Sequence, residues 1–360
     1  MKVLLVITGL GMGGAEHVVV NLADELVNRG HEVKIAYLTG PGLVLPSNEN
    51  IEVIALNMKG YQEIVPTYLK LNKLIRAFKP DVVHGHMFHA NILTRLLKIS
   101  TKIPKLISTA HNTNEGGKTR MLAYRVTDKL ADISTNVSDE AVSTFIRKGA
   151  VKTGRMVSVT NGIDIIKFSF DKIARKNLRA ELNIENKKAL LAVGRLDTQK
   201  DYSNLLNAVH LLNKNRQDFK LFIAGDGPLR GELEQLAAKL QINDIVEFLG
   251  IRRDVHNLMS ASDVFVLSSA WEGFGLVVAE AMSCERIVVA TDCGGVAEVV
   301  GDAGIIVPPK NSKQLASALN KALDMSEEES LILGCKARQH IVDNYSLDRN
   351  INSYLELYLQ

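Results

Sequence analysis

The sequence DVFVLSSAWEGFGLVVAE, residues 263–280, carries the clearest structural signal in the chain. Its first five residues are a short β-branched run, which predicts a buried strand of a parallel sheet. Its last ten contain two glycines followed by an apolar run, which predicts a loop and then a helix. A strand, a glycine loop and a helix in this order are typical of a doubly wound α/β fold, and the helix N-terminus behind such a loop suits phosphate.

Two carboxylates flank this predicted phosphate cradle. Glu272 lies in the loop, and Glu280 follows eight residues later, about two helical turns further on. Carboxylates accept hydrogen bonds from hydroxyls, so the pair fits a ligand with phosphate in the middle and hydroxyls at both ends, such as a nucleotide-sugar. A solvated glutamate at a helix start, followed by a salt-bridged one, would give the same spacing, and this alternative stays open here.

The remaining chain alternates predicted strands and helices in two similar halves. The first runs from the strand at residues 2–7 to the strand at 156–159, and the second begins with the strand at 189–193. Weak periodicity predicts a linker at residues 167–185. The sequence therefore predicts an α/β protein with two Rossmann-like domains, one of residues 1–165 plus a C-terminal helix at 346–360, the other of residues 166–345. Their parallel sheets would face each other across a cleft, with ligands beyond the carboxyl ends of the strands.

Composition places the chain among globular proteins without a membrane span. Of its 360 residues, 46% are hydrophobic and 23% are charged. No apolar run approaches the ~18 residues needed to cross a bilayer, and the apolar start predicts a first strand, not a secretory signal. Cys284, Cys293 and Cys335 form neither a metal-binding spacing nor an even disulfide set, so we expect a reducing cytoplasmic location.

Charge is divided unevenly between the halves. Residues 1–165 carry 20 Lys and Arg against 14 Asp and Glu, whereas residues 166–360 carry 23 against 26. Residues 66–105 hold eight bases against the single acid Asp81: Lys70, Lys73, Arg76, Lys79, Arg95, Lys98, Lys102 and Lys105. This basic segment predicts an anionic partner, either a membrane surface or a lipid diphosphate, although ordinary solvated helix surfaces would look the same. Nucleic acid is disfavoured, because aromatic residues that could stack on nucleotides make up only 5% of the chain.

The first glycine loop, residues 9–14 (GLGMGG), fits the dinucleotide fingerprint G-x-G-x-x-G after a strand and before a helix. An NAD site also needs an acid at the end of the second strand, to bind the ribose. That strand ends Tyr37-Leu38-Thr39-Gly40, without an acid. We therefore exclude a dinucleotide site and retain a weaker prediction, that this loop contacts phosphate or sugar.

A second loop, residues 194–201 (GRLDTQKD), follows the strand that ends at residue 193. Arg195 and Lys200 emerge from it together. A guanidinium binds phosphate oxygens in pairs and an ammonium adds a point charge, so the two could neutralise a diphosphate. A surface loop with two bases is the alternative.

Taken together, these motifs resemble family 4 of the glycosyltransferases, which have the two-domain GT-B fold. The resemblance rests on residues 13–16 (GGAE), the Arg195/Lys200 loop and the Glu272/Glu280 pair, with residues 161–164 (NGID) and 225–228 (GDGP) in support, and it covers essentially the whole chain. Each motif is weak alone, but the set is specific.

The resemblance implies a role for each site residue. Arg195 and Lys200 would bind the donor diphosphate. Glu280 would accept hydrogen bonds from the ribose and Glu272 from the donor sugar. His111, in residues 108–112 (STAHN), would touch that sugar and assist reaction at the anomeric carbon.

Main-chain groups would complete the donor site implied by the resemblance. The diphosphate would also meet backbone amides of Gly13, Gly14, Gly273, Phe274, Gly275 and Leu276, and the nucleobase would lie near Ile251 and Arg252.

The implied activity is metal-independent transfer, with retention, of a hexose or N-acetylhexosamine. The donor would be a nucleotide-sugar, with UDP favoured as the nucleotide, and the acceptor a polyprenyl-diphosphate-linked precursor of a cell-surface polysaccharide. No cofactor is expected beyond this co-substrate, and no metal site, because the chain lacks Asp-x-Asp. The enzyme would act in the cytoplasm, at the inner face of the membrane. A nucleotide-sugar epimerase, a pyridoxal-dependent phosphorylase and a non-catalytic sugar-nucleotide-binding protein are the alternatives.

Residues 84–89 (HGHMFH) resemble a metal cluster at first sight. Alternation along a strand would place His84 and His86 on one side, but no cysteine or glutamate at a matching spacing accompanies them. We therefore do not predict a metal site here, and a role for His86 or His89 in lining the acceptor side stays open.

Overall fold

The computed structural model describes residues 1–113 and 115–360. Its strands are β1 Lys2–Gly9, β2 Glu32–Thr39, β3 Glu52–Ala55, β4 Val82–His86, β5 Lys105–Thr109, β6 Ile133–Asn136, β7 Met156–Ser158, β8 Lys188–Val193, β9 Phe219–Ala224, β10 Val246–Gly250, β11 Val264–Leu267, β12 Ile287–Thr291 and β13 Ile305–Val307. Its α-helices are α1 Gly14–Asn28, α2 Ile64–Phe78, α3 Phe88–Ser100, α4 Gly117–Thr127, α5 Asp139–Arg147, α6 Lys172–Glu181, α7 Tyr202–Asn213, α8 Arg230–Lys239, α9 Val255–Ala261, α10 Leu276–Ser283, α11 Val296–Val300, α12 Ser312–Leu323, α13 Glu327–Tyr345 and α14 Leu347–Leu359.

The chain divides into two compact units. Unit 1 comprises Met1–Gly162 and Leu347–Gln360, and unit 2 comprises Ile163–Ser346. The boundaries predicted from the sequence, at 165/166 and 345/346, lie close to this division.

Each unit contains one parallel sheet. The strand order is β3-β2-β1-β4-β5-β6-β7 in unit 1 and β10-β9-β8-β11-β12-β13 in unit 2, and the paired strands are all parallel. In both sheets the order reverses beside the first strand of the unit, which is the doubly wound arrangement. The predicted α/β class with two parallel sheets is therefore confirmed.

Helices cover both surfaces of the unit 1 sheet. Apolar side chains of β1 and β2 pack on one surface against α1 and α14, and on the other against α2 and α3. The C-terminal helix joins this unit because Ile351, Tyr354 and Tyr358 are buried in the first of these cores. Burial of an aliphatic or aromatic side chain is worth about 1.5–3 kcal/mol, so these three contacts hold α14 in place.

The linker predicted at residues 167–185 is wrong for its central part, which forms α6. Leu178 is its only buried residue, so the apolar periodicity that identifies helices is missing. Asp171 caps the helix, accepting from the N–H groups of Ile173 and Ala174 at 2.8 and 2.9 Å. Polar contacts to a residue distant in sequence hold α6 in place: its two arginines bind Asp263 at 2.5 and 3.1 Å.

One of the eight bases in residues 66–105 does not contribute to a charged surface. Arg95 is fully buried, and its guanidinium donates to Ser108, Ser134 and Thr127 at 2.9–3.2 Å. These partners, on strands and helices distant in sequence, explain why an arginine on α3 lies inside unit 1.

Three of the remaining bases, Lys70, Lys73 and Arg76, are exposed on α2. Within the described ranges 1–113 and 115–360, no helix combines the length and apolar character required to cross a bilayer.

Candidate functional site

Two loops meet at the carboxyl edge of the unit 2 sheet. Residues 194–201 follow β8, residues 268–275 follow β11, and these strands are neighbours in the sheet. The Ser268 hydroxyl donates to the Lys200 carbonyl at 2.8 Å, and the Ala270 N–H donates to the Gln199 carbonyl at 2.8 Å. Segments about 70 residues apart in sequence therefore form one surface, as the strand order requires.

Glu272 is the centre of this surface. Its side chain is buried, with 6% of the residue exposed. Lys200 Nζ lies 2.6 Å from Oε1, Ser269 Oγ donates to the same oxygen at 2.7 Å, and Gln199 Nε2 donates to Oε2 at 3.2 Å. The carboxylate is thus held in one orientation by groups from both loops, and a carboxylate accepts hydrogen bonds from hydroxyls.

Ser269 and Gln199 were not among the residues selected from the sequence. The signal that could have found Ser269 is its position two residues after the buried strand β11, where polar side chains reach the ligand edge of a parallel sheet.

Arg195, in the same loop as Lys200, presents its charge to solvent. Its side chain is 70% exposed, and the carboxylate nearest to its guanidinium is Asp197, at 3.9 Å. An exposed pair at this distance contributes little, so the guanidinium can exchange it for phosphate oxygens.

Glycines bring the loops of unit 2 into backbone contact. At Gly225, with φ of +144°, a Cβ would lie 2.0 Å from the Gly194 carbonyl oxygen, and at Gly294, with φ of +59°, a Cβ would lie 2.1 Å from the Glu272 carbonyl oxygen. Only glycine fits these positions. The glycine at 294 therefore lets the turn after β12 pack against the backbone of the Glu272 loop, and the N–H of Gly295 donates to the Gly273 carbonyl at 3.1 Å.

The glycine loop leads into α10. Gly275, in the left-handed region at φ of +87°, is its N-cap and supplies no side-chain cap. The first N–H groups of a helix have no intrahelical acceptor, so the turn that starts at Leu276 can donate to an anion. Phe274 is buried and packs edge-to-face on Tyr345, with ring centroids 5.5 Å apart, which anchors the loop.

Glu280, on α10, differs from Glu272. It is partly buried, and no described residue donates a hydrogen bond to its carboxylate. Burial raises the pKa of Glu280 to about 8, although the positive charges of Lys167 and Lys200 oppose this shift. A carboxylate that is partly desolvated and has no hydrogen-bond donor can be stabilised by a ligand that donates hydrogen bonds to it. The contribution of Lys167 was not predicted from the sequence.

The residues expected near a nucleobase lie at the same sheet edge, two strands away from β8. Ile251 is 62% exposed directly after β10. The Arg252 guanidinium binds Asp254 at 2.6 and 2.8 Å. Within the described part of the chain, no hydrogen bond or ion pair joins either residue to Glu272 or Glu280. The structure thus places them on the same edge without a hydrogen bond or an ion pair to the two carboxylates.

The other predicted site residues belong to unit 1. Gly13 is the N-cap of α1, at the end of the loop after β1, and Gly14 is the first residue of the helix. A Cβ at Gly13 would lie 2.5 Å from Glu16 Oε2, and burial raises the pKa of Glu16. His111 follows β5, and β4 separates β5 from β1 in the sheet. Gly13, Gly14 and His111 therefore lie at the carboxyl edge of one sheet.

His111 contacts a second histidine. Its Nε2 lies 3.1 Å from His86 Nδ1, and its backbone N–H donates to Glu115 Oε1 at 3.1 Å. Burial lowers the pKa of His111 to about 4, so its imidazole is neutral at physiological pH. In the described portion of the chain no group of three or more His, Cys, Asp or Glu side chains is arranged to hold a metal ion.

Comparisons with known proteins match both units. Residues 12–167 match the family model described as Glycosyltransferase Family 4, and residues 174–340 match Glycosyl transferases group 1. An uncharacterized glycosyltransferase of Methanocaldococcus jannaschii is 27% identical over 94% of this chain and 92% of its own length. The Escherichia coli UDP-Gal:alpha-D-GlcNAc-diphosphoundecaprenol alpha-1,3-galactosyltransferase is 26% identical over 81% of this chain and 78% of its own.

Among solved structures, HepE of Anabaena in complex with UDP and glucose superposes with a TM-score of 0.89. It is 22% identical, and the match covers 99% of this chain and 98% of that one. A likeness at this identity concerns the fold, and it agrees with the two parallel-sheet units described above.

Proposed function

Since this chain belongs to family 4 of the glycosyltransferases and has the GT-B fold, we propose that it transfers a hexose or N-acetylhexosamine from a UDP-sugar, with retention at the anomeric carbon. The observation that carries the proposal is the contrast between its two carboxylates. Glu272 is already held by Lys200, Ser269 and Gln199, whereas the Glu280 carboxylate has no hydrogen-bond donor among the described residues.

A UDP-sugar would supply hydroxyl donors to both Glu272 and Glu280. The ribose hydroxyls would donate to Glu280, which would offset the cost of its partial desolvation. The hexose hydroxyls would donate to Glu272, whose fixed orientation makes it selective for hydroxyl position. The diphosphate between them would bind Arg195, Lys200 and the first N–H groups of α10. The HepE complexes contain UDP, which favours uridine over other bases as our choice for the first experiment.

In the proposed reaction the anomeric carbon exchanges one oxygen for another on the same side of the sugar. The bond to the diphosphate oxygen breaks, the bond to the acceptor hydroxyl oxygen forms, and the hydroxyl proton passes to the leaving diphosphate. Arg195 and Lys200 stabilise the charge that develops on the diphosphate, and His111 acts as a neutral imidazole on the reacting sugar. Catalysis then consists of positioning and charge stabilisation.

For the acceptor we propose a polyprenyl-diphosphate-linked sugar, the substrate type named for the Escherichia coli relative. Unit 1 offers a surface suited to a membrane that contains such lipids. On α2, the bases Lys70 and Lys73 are exposed beside Val65 and Leu69, which are 66% and 61% exposed. Bases beside exposed apolar side chains favour an anionic membrane surface.

Vesicle binding tests this membrane contact. We expect the protein to co-sediment with vesicles that contain anionic lipid and much less with neutral ones, since each base near an anionic surface contributes about 1 kcal/mol. Replacing Lys70, Lys73 and Lys79 together with glutamine should abolish the difference. Replacing Lys172 and Lys176, exposed on α6 of unit 2, should not. Equal binding to both kinds of vesicle, or unchanged binding of the triple variant, would exclude this surface.

Turnover of nucleotide-sugars tests the function. We expect the protein to bind UDP, and to release UDP from one UDP-hexose or UDP-N-acetylhexosamine in a panel once a lipid-diphosphate-linked sugar is added. Product analysis by NMR would show retention from the anomeric coupling constant. Conversion of the donor without acceptor would identify an epimerase, and UDP binding without turnover on every acceptor would identify a binding protein. Failure to bind any nucleotide would refute the assignment of Glu272 and Glu280 to the nucleotide-sugar site.

A further inference from the structure

Three histidines form a contiguous cluster in unit 1 that the proposed donor chemistry uses only in part. His84 and His86 alternate on β4, and both are fully buried. Gly85 between them allows α3 to pack closely: a Cβ there would lie 2.8 Å from Asn91 Oδ1 and 2.8 Å from Thr94 Oγ1. The H-G-H sequence is therefore fitted to this packing, with both imidazoles on the opposite surface of the sheet.

The backbone directly after His86 is strained. Met87 has φ of +68° and ψ of 164°, a conformation that is essentially restricted to glycine. Its N–H donates to the Thr109 carbonyl at 3.1 Å and its carbonyl accepts from the Asn91 N–H at 3.0 Å. Strain of this kind persists where the surrounding structure enforces it, and it concentrates at functional sites. Here it fixes the strand end that carries His86.

Hydrogen bonds and ring contacts link the three imidazoles in order. His84 Nε2 is 2.6 Å from Thr109 Oγ1, and His84 Nδ1 is 2.7 Å from the Tyr358 hydroxyl, so both of its nitrogens are occupied. Its ring lies on that of His86, with centroids 3.9 Å apart. His86 Nδ1 then meets His111 Nε2 at 3.1 Å. His84 therefore contacts the ring of His86, and His86 in turn contacts His111.

The two outer nitrogens of the pair are unoccupied. His86 Nε2 and His111 Nδ1 are buried atoms without a hydrogen-bond partner among the described residues. Burial lowers the pKa of His84 and His86 well below the ordinary histidine value, as it does for His111, so both members of the pair are neutral. Each neutral imidazole carries one N–H, and a hydrogen bond at 3.1 Å requires that only one of the two facing nitrogens, His86 Nδ1 or His111 Nε2, be protonated.

This single proton couples the outer nitrogens. If His86 donates, its own Nε2 is bare and His111 carries its proton on Nδ1. If His111 donates, the arrangement is reversed and an N–H remains on His86 Nε2. A buried N–H without an acceptor is among the rarest defects of folded proteins, and His86 is fully buried whereas His111 is only partly so. The first arrangement places the unpaired N–H on His111, the residue of the pair that as a whole is partly exposed, although its Nδ1 atom is itself buried.

We propose that His86 is a positioning residue that fixes His111 as its Nδ1–H tautomer, so that His111 donates a hydrogen bond to an oxygen of the sugar substrate. The inference rests on the proposed function, because it assumes that His111 meets the sugar. The sequence of contacts assigns His84 to orient His86, and it leaves His111 as the only member of the cluster that acts on substrate.

Nitrogen-15 NMR of the imidazoles tests the tautomer directly in the whole protein. We expect His111 to show a protonated Nδ1 and a bare Nε2 near neutral pH. In His86→Leu, which cannot donate, we expect the Nε2–H tautomer to gain population and kcat to fall by about 10–100-fold, the usual effect of losing a group that orients a functional histidine. The affinity for UDP should stay unchanged. His86→Asn, whose amide nitrogen takes the place of Nδ1, should keep the tautomer and most of the activity.

The controls separate this inference from the proposed function. His31→Leu removes another imidazole of unit 1, one that binds the N-terminal amine at 3.2 Å, and should leave kcat unchanged. Full activity of His111→Leu would remove His111 from the reaction. An inactive His111→Leu with a fully active His86→Leu would overturn the role of His86 alone. If His86→Leu does not fold, a wild-type spectrum with the proton on His111 Nε2 would still refute the proposal.

Discussion

Replacing Lys200 with methionine is expected to lower kcat for sugar transfer by about 10²–10³-fold, the loss measured when one preorganised charge donor is removed from a developing oxyanion. The proposed leaving group is a diphosphate, and Lys200 is a cation that the fold holds in place: its Nζ lies 2.6 Å from the buried Glu272 carboxylate. Methionine has a similar length without the charge. Steady-state kinetics with saturating acceptor, together with UDP affinity by calorimetry, measures the two parts of the effect.

The same variant is expected to be less stable, and this must be separated from catalysis. Removing Lys200 leaves a buried carboxylate without its ion-pair partner, a change that costs about 3–5 kcal/mol where burial is complete. The side chains of Lys200 and Glu272 are 17% and 8% exposed, so we expect a value toward the lower end of that range. Glu272→Gln in the Lys200→Met background removes the unpaired charge and should recover most of the lost stability without restoring turnover.

Lys214→Met is the matched control, since Lys214 is an exposed lysine at the end of α7 in the same unit. It should alter neither the melting temperature nor kcat. Recovery of turnover along with stability in the double variant would show that Lys200 has only a structural role. Wild-type kinetics of Lys200→Met would exclude it from the diphosphate site.

The elements of the fold were predictable wherever apolar periodicity is strong. Residues 263–280 predict a strand, a glycine loop and a helix in one continuous segment, and the structure contains β11 and α10 there. Helix α6 escaped detection because polar contacts to Asp263, distant in sequence, hold it in place. Arg95 was assigned to a charged surface for the same reason, since the serines and threonine that receive its guanidinium lie on other elements. Apolar periodicity predicts which apolar side chains are buried, but it does not predict which polar side chains are buried with partners distant in sequence.

The candidate site was predictable as a set of residues but not as a set of contacts. The motifs identified Lys200 and Glu272 separately, and only the neighbouring positions of β8 and β11 turn them into an ion pair. The state of Glu280 depends on burial and on the charge of Lys167, neither of which spacing reveals. The contact between His86 and His111 joins the ends of two adjacent strands, so it too required the sheet order. In each of these three cases the sequence identified a site residue but did not identify the residue that interacts with it.

Glu280 makes nucleotide affinity depend on pH in a direction that the structure determines. Its pKa is raised to about 8 in the unliganded protein, chiefly by burial. If ribose hydroxyls donate to it, the ligand favours the ionised carboxylate, and binding must first remove the proton that Glu280 carries at pH 7. We therefore expect the affinity for UDP to rise about tenfold between pH 7 and pH 9, as linkage with a pKa of about 8 requires. Binding at pH 7 should release close to one proton.

Calorimetry in buffers of different ionisation enthalpy measures this proton release. Glu280→Gln is the matched variant, because it preserves size and removes the titrating group. It should bind UDP about 10–100-fold more weakly at pH 9, given about 1.5–3 kcal/mol for hydrogen bonds to a charged group, and its affinity should be flat from pH 7 to 9. The terminal phosphate of UDP titrates near pH 6, and both proteins share that contribution. Equal proton release by the two proteins would show that Glu280 does not bind the nucleotide.

Stability without ligand supplies an independent check with its own sign. A carboxylate whose folded-state pKa lies above its ordinary value of 4.5 binds more protons in the folded than in the unfolded chain between those two values. The free energy of unfolding contributed by Glu280 is therefore fully present below about pH 4.5 and is lost as the pH rises toward about 8. Denaturant titrations measure the free energy of unfolding of wild type and of Glu280→Gln at each pH. Relative to the variant, the wild type should be less stable at pH 8 than at pH 5. Saturating UDP should cancel this shift, because the ligand then stabilises the same ionised carboxylate that burial had penalised.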